Sequence, residues 1–138
     1  MKINSYLTFD GNCEEAFNFY ADCLGGKVEA LMRFSEMPAA AGDVPPELAE
    51  RILHARLVVG DQVLMASDAC PMSPYEGIRG NSVAINLDCI EKGERIFNAL
   101  AQGGTIEMPF QQTFWATRFG SVKDRFGVPW LINCEVSE

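Results

Sequence analysis

A chain of 138 residues, 48% apolar and 22% charged, has the size and make-up of one folded domain, which excludes a disordered polar tract and a membrane-embedded chain. Its formal net charge of -8 repels phosphate backbones and anionic lipid, and its 11 Lys and Arg are scattered, so neither nucleic acid nor a membrane is expected as a partner. The opening "MKINSYLTFDG" holds no apolar run of signal-peptide length, which predicts a soluble, cytoplasmic protein. The five cysteines are odd in number and form no Cys-x-x-Cys pair, so they read as free thiols, most of them buried.

In chain order, "INSYLTF" alternates apolar Ile3, Leu7 and Phe9 with more polar residues, the period of a half-buried strand. A helix "CEEAFNFYADCLGG" follows, with Ala16, Phe19, Tyr20 and Cys23 at three- and four-residue spacing and Gly25-Gly26 as its stop. "KVEALMRF" reads as a strand. The next segment, "SEMPAAAGDVPPELAE", reads as a loop with a short helix starting at Pro46. "ILHARLVV" and "QVLMASD" then form a hairpin about Gly60-Asp61. After a second loop, "ACPMSPYEGIRG", the order repeats: strand "SVAINL", helix "IEKGERIFNALAQGG", strand "TIEMPFQQTFW", and "TRFGSVKDRFG" turning into "VPWLINCE".

The repetition is internal. "LTFDG" at Leu7 meets "INLDC" at Ile85, and "GGKVEA" at Gly25 meets "GGTIEM" at Gly103, both 78 positions on. At the same offset Phe19 falls over Phe97 and Ala21 over Ala99. The expected fold is therefore α+β: two βαβββ modules, about 1-78 and 79-138, in a single domain whose strands make a curved eight-stranded mixed sheet around a cavity.

A two-residue turn sets register, so Val59 faces Gln62, Arg56 faces Met65 and His54 faces Ser67. Leu53, Ala55, Leu57, Val59, Leu64 and Ala66 form the apolar face, which leaves His54, Arg56, Met65 and Ser67 on the other. His54, the single histidine, then lines the cavity, either as a functional group or as a side chain satisfying hydrogen bonds in a polar groove.

The duplicated plan, with "DGNCEEAFNFY", "LGGKVE", "HARLVVGDQVLMASDA" and "QQTFWATRFGSVKDRFGVPWLIN", resembles the PhnB-like branch of the vicinal oxygen chelate superfamily, the glyoxalase, bleomycin-resistance and dioxygenase group. The resemblance covers nearly the whole chain. It implies a paired βαβββ fold, usually a homodimer, and often a divalent metal held by His or Glu on the first, fourth, fifth and eighth strands. Those positions fall on Asn4, Met65, Ser82 and Leu131, a set without a carboxylate or imidazole, so no metal and no other cofactor is expected. Labels on this branch mention a ubiquinone-related methyltransferase. The chain has no Gly-rich strand-to-helix loop for a nucleotide-like donor.

What remains is a mixed surface suited to a small organic ligand: Arg56, Met65, Ser67, Ser82, Asn86 and Asn133, with Trp115 on the sixth strand or its turn. Trp115 is either a stacking platform or part of the core. Arg118 is either a partner for a ligand anion or one end of a surface ion pair. For acid-base chemistry His54 is the proton carrier and Tyr6 the candidate acid or electrophile. Two functions follow: a metal-free, homodimeric protein that binds a small molecule, or a metal-dependent glyoxalase- or dioxygenase-type enzyme with an atypical site around His54. A structural or regulatory partner is the third reading.

Overall fold

A computed structural model of the chain describes residues 1–38 and 44–136. It divides into two compact units, Met1–Gly77 and Ile78–Glu138. The first runs β1 (Tyr6–Phe9), α1 (Cys13–Leu24), β2 (Lys27–Arg33), β3 (Ile52–Val59) and β4 (Gln62–Asp68). The second repeats it as β5 (Val83–Leu87), α2 (Ile90–Ala101), β6 (Thr105–Gln111), β7 (Arg118–Lys123) and β8 (Pro129–Cys134). Each unit holds one four-stranded sheet, ordered β1-β4-β3-β2 and β5-β8-β7-β6. In each, the outer pair β1–β4 or β5–β8 is parallel and the other pairs are antiparallel. The α+β class and the doubled βαβββ order are as the sequence predicts, with the eight strands hydrogen-bonded as two sheets of four.

The hairpin register also follows the sequence. Val59 pairs with Gln62, Arg56 with Met65 and Ala55 with Ala66. Gly60, with φ 60, supplies the left-handed residue that so tight a turn needs. The predicted apolar face departs at its start. β2 pairs Met32 with His54 but Arg33 with Ile52, so Leu53 is an extra residue in β3. This bulge turns Ile52 into the core, where it is 1% exposed, and leaves Leu53 half-buried.

Each helix covers one face of its own sheet. α1 buries Cys13, Ala16, Phe17 and Tyr20, the i, i+3, i+4, i+7 stripe of an amphipathic helix, while Phe19 and Cys23 are only half-buried. Phe17 packs edge-on against Phe9, with ring centroids 6.3 Å apart, and each fully buried ring of this kind contributes about 2 kcal/mol of transfer free energy. α2 buries Gly93, Ile96, Phe97 and Leu100. Phe97 therefore answers Phe17 and not Phe19: the helices are in phase two residues away from the offset that aligns the strands.

Three further expectations are corrected. The segment from Pro46 makes tight i→i+3 turns, Leu48 N–H to Pro45 O and Ala49 N–H to Pro46 O, instead of a helix, and residues 39–43 of that loop lie outside the described residues. β6 stops at Gln111, short of the end expected for "TIEMPFQQTFW", and of the two places expected for Trp115, strand or turn, it occupies the turn into β7. The five cysteines are free, but only Cys13 and Cys134 are buried; Cys23 and Cys70 are half-buried and Cys89 is exposed.

Candidate functional site

In the first sheet, Leu7, Phe9, Ala55, Leu57 and Ala66 point into the core under α1. Alternation then sends Tyr6, His54, Arg56, Met65 and Ser67 to the helix-free face. The pairing sets Tyr6, Met65, Arg56 and Ala30 in one row across the four strands. Thr8, beside Ser67, and Met32, beside His54, lie in the next. Tyr6 and Met32 are each about half exposed, at 49% and 45%.

Tyr6 and His54 come from β1 and β3, which are separated by β4. The tyrosine reaches over the intervening strand and sets its hydroxyl 3.3 Å from His54 Nδ1, with the rings stacked at 29° and centroids 6.0 Å apart. The contact admits two arrangements. If the phenol donates to Nδ1, Nε2 carries the proton and can donate to a ligand; if Nδ1–H donates to the phenol oxygen, Nε2 keeps its lone pair and acts as an acceptor. No other described residue bonds the ring, so its second nitrogen is available in either state. This is the pair that the sequence offers as proton carrier and acid.

Arg56 lies one rung from His54 on β3. Its Nε is buried from solvent and has no hydrogen-bond partner, and among the described residues none accepts from its guanidinium. The other arginines flanking this sheet are engaged. Arg33 Nη2 donates to Glu14 Oε2 at 2.8 Å, and Arg51 Nη1 to Asp10 Oδ1 at 3.1 Å and to the Ala69 carbonyl at 3.0 Å. An open depression of about 290 Å³ in this unit, lined by Asp10, Glu47, Arg51 and Cys70, is thus built around a cation that already has its acceptors.

The remaining sequence candidates belong to the second unit. Asn133 pairs with Asn86 and Phe119 on the face away from α2, and its Nδ2 donates to Asn86 Oδ1 at 3.3 Å. Trp115 is 46% exposed and stands edge-on to Phe114 and Phe119, with centroids at 4.7 and 5.4 Å. Ser82 is an exposed residue just before β5. Arg118 pairs with buried Cys134, on the α2 side of the sheet, and donates to the Thr117 carbonyl at 2.8 Å. It does not share a face with Asn133, because Asn133 pairs with the next residue, Phe119, and alternation sends successive residues to opposite sides.

Sequence reasoning missed two contributors. Met32 reads in the sequence only as part of a strand; the bulges around Glu29 and Leu53 in the β2–β3 pair hide the alternation that would place it beside His54. Asp68, which the sequence shows only as the last residue of a strand, is 2% exposed and accepts the backbone N–H groups of Gly11, Cys13 and Ile52 at 2.9, 3.0 and 2.8 Å. It caps α1 from a distance and ties the β1–α1 turn to β3. Its only trace in the sequence is an acid closing an apolar strand.

The donor set does not fit the divalent metal that the fold implies. Asn4 and Ser82 precede their strands in exposed positions, and Met65 and Leu131 bring a thioether and an alkyl group where an ion needs hard or borderline donors. Among the described residues no three His, Cys, Asp or Glu side chains are grouped to hold an ion. No described helix is long and apolar enough to cross a membrane.

Two buried thiols flank these elements. Burial pushes the Cys13 thiol far up, with the charges of Asp68 and Glu14 adding to the effect. Burial likewise raises Cys134, helped by Cys89 and Asp88 and opposed by Arg118.

Comparison with known proteins agrees with this architecture. The profile of the family described as 3-demethylubiquinone-9 3-methyltransferase matches residues 1–133, and the chain belongs to that family. It is 39% identical to Protein YjdN of Escherichia coli (strain K12), over 96% of this chain and 95% of that one. It is 50% identical to protein PA1353 from Pseudomonas aeruginosa, with a TM-score of 0.90 and 99% of each chain covered. A putative 3-demethylubiquinone-9 3-methyltransferase, PhnB protein, from Bacillus cereus is 26% identical, with a TM-score of 0.78, covering 97% of this chain and 99% of that one. At 13% identity a glyoxylase/bleomycin resistance protein/dioxygenase domain from Frankia sp. EAN1pec shares the fold, with a TM-score of 0.67 over 98% and 97% of the two chains.

Proposed function

We propose that the helix-free face of the first sheet binds a small organic molecule and does so without a divalent metal. The observation that carries this reading is the Tyr6–His54 contact: two hydrogen-bonding side chains from non-adjacent strands meet on a half-exposed face whose floor includes Met65 and Met32. Apolar walls with a few directed polar groups are what a small organic ligand needs. The methyl transfer in the family's description would require a donor site. The turn from β1 into α1 is a poor cradle for a nucleotide-like donor, because Asp68 already accepts from Gly11 and Cys13 there.

The test is a set of crystals of the full chain soaked with a library of small aromatic and aliphatic fragments. Density beside Tyr6 and His54 is the expected result; fragments that collect only elsewhere contradict the reading. The metal question is settled separately by equilibrating the protein with zinc, manganese or nickel and measuring bound ion. Less than stoichiometric metal, unchanged in His54→Ala, is expected. One equivalent lost with that substitution favours the glyoxalase- or dioxygenase-type enzyme instead. The homodimer implied by the resemblance and the cytoplasmic setting expected from the opening sequence belong to the same proposal, and sedimentation of the purified chain tests the first.

A further inference from the structure

We infer that the ligand of the first sheet's open face is an organic oxyanion, a small molecule whose carboxylate or phosphonate is bound by Arg56 while its apolar body lies against Tyr6 and Met32. The inference rests on the binding reading above and adds the chemical class. In a chain with 19 acidic residues against 11 Lys and Arg, a guanidinium readily finds a carboxylate, and Arg33 and Arg51 both do. Arg56 does not. It stands in mid-strand, with Met65 on one side and Ala30 on the other, and its Nε is out of reach of water and of every described acceptor.

A buried N–H without an acceptor is a standing cost to the fold, and a charged one more so, unless a ligand relieves it. The guanidinium edge formed by Nε and one Nη offers two parallel N–H donors, matching the two oxygens of a carboxylate or phosphonate. The side chain has no partner to leave, so turning this edge toward a ligand breaks no bond. One rung away, His54 Nε2 can reach a second polar group, and the half-exposed Tyr6 ring and Met32 offer area to an apolar body. A bare inorganic anion would use only the first of these features.

The experiment is calorimetric titration of the full chain with benzoate, phenylphosphonate, neutral benzamide and inorganic phosphate, repeated on Arg56→Met. Benzoate or phenylphosphonate should bind about tenfold or more tightly than benzamide, the loss expected when a charge-assisted hydrogen bond is forfeited. Whichever of the two is tighter identifies the anionic group. Arg56→Met should abolish the preference and melt at the wild-type temperature or above, since an apolar side chain replaces a half-buried cation whose buried Nε has no acceptor. Equal affinity for benzoate and benzamide, unaffected by Arg56→Met, overturns the inference and leaves the binding face intact. Binding of inorganic phosphate as tight as that of the aromatic anions overturns the organic class. Failure of all four probes also overturns it, and the fragment soaks then judge the binding face independently.

Discussion

His54 and Phe119 hold the same register position in the two repeats. Leu7 pairs with Ala66 and, 78 residues on, Ile85 pairs with Ile132; Ala66 in turn pairs with Ala55 and Ile132 with Gly120. One residue before each lies His54 in the first unit and Phe119 in the second. By the same register Tyr6 answers Ala84. Duplication has kept the backbone pairing and replaced the chemistry, leaving a hydrogen-bonding pair on one sheet and an aromatic side chain on the other.

The double substitution Tyr6→Ala with His54→Phe gives the first sheet the second sheet's residues at these positions. Both side chains are partly exposed and their only shared bond is at the surface, so stability should change by less than about 1 kcal/mol. Thermal melting checks this, and fragment binding to the face should be lost in the same protein.

Asp68 and Cys134 are another such pair, opposite Phe9 and Leu87. Asp68→Ala would strand three buried or part-buried backbone N–H groups and remove an acid from the start of α1, at a cost of about 3 kcal/mol or more. Cys134→Ala removes a small buried thiol and should cost about 1 kcal/mol. Urea denaturation of the two variants orders them.

The two double glycines divide their work. Gly25 and Gly103 take φ 70 and 75, a left-handed turn out of each helix, whereas Gly26 and Gly104 are sites of close approach. A Cβ on Gly26 would stand 2.6 Å from Val59 Cγ2 and 2.7 Å from the Val58 carbonyl; on Gly104 it would meet the Lys123 carbonyl and, at 2.9 Å, Asp124 Cα. Gly25→Ala should therefore cost about 1 kcal/mol through strain alone. Gly104→Ala, which drives a methyl into backbone, should cost at least about 3 kcal/mol and lower the expression of folded protein.

The raised thiols set an alkaline limit. A group whose pKa is higher folded than unfolded stabilises the fold fully below its unfolded pKa, about 8.5 for a thiol, and that contribution is lost as pH rises above it. For Cys13, buried beside Asp68 and Glu14, melting temperature should fall above about pH 8.5. Cys13→Ala should flatten that limb while costing stability at neutral pH. A thiol reagent at neutral pH should modify exposed Cys89 first and leave Cys13 and Cys134 untouched in the native state.

Much of this fold is legible in the chain because it is governed by local chemistry and by repetition. The offset of 78 exposes the duplication, and Gly60-Asp61 sets a register that carries Arg56 to Met65. What alternation cannot reveal is a bulge, since an extra residue such as Leu53 leaves no mark in composition. That is why alternation puts Leu53 in the core position that Ile52 holds, and why it gives no sign of Met32 beside His54. The helix phase was misread for a related reason: Phe17 and Phe19 are both aromatic, and only packing on Phe9 decides which is buried. Tyr6 and His54 were legible as chemistry but their contact was not, because it spans an intervening strand paired over a sequence distance of about 60 residues. The unpartnered state of Arg56 is a property of its neighbours, so no reading of the chain alone supplies it.

His54, as the single histidine, gives the central claim its most direct measurement, since its ring nitrogen and carbon-bound proton resonances in an NMR spectrum are assigned without ambiguity. On titration with any fragment that binds the protein at the open face, those resonances should move saturably in the wild type and lose most of their response in Tyr6→Ala. Fragments that bind with measurable affinity while the His54 ring stays still would contradict the account.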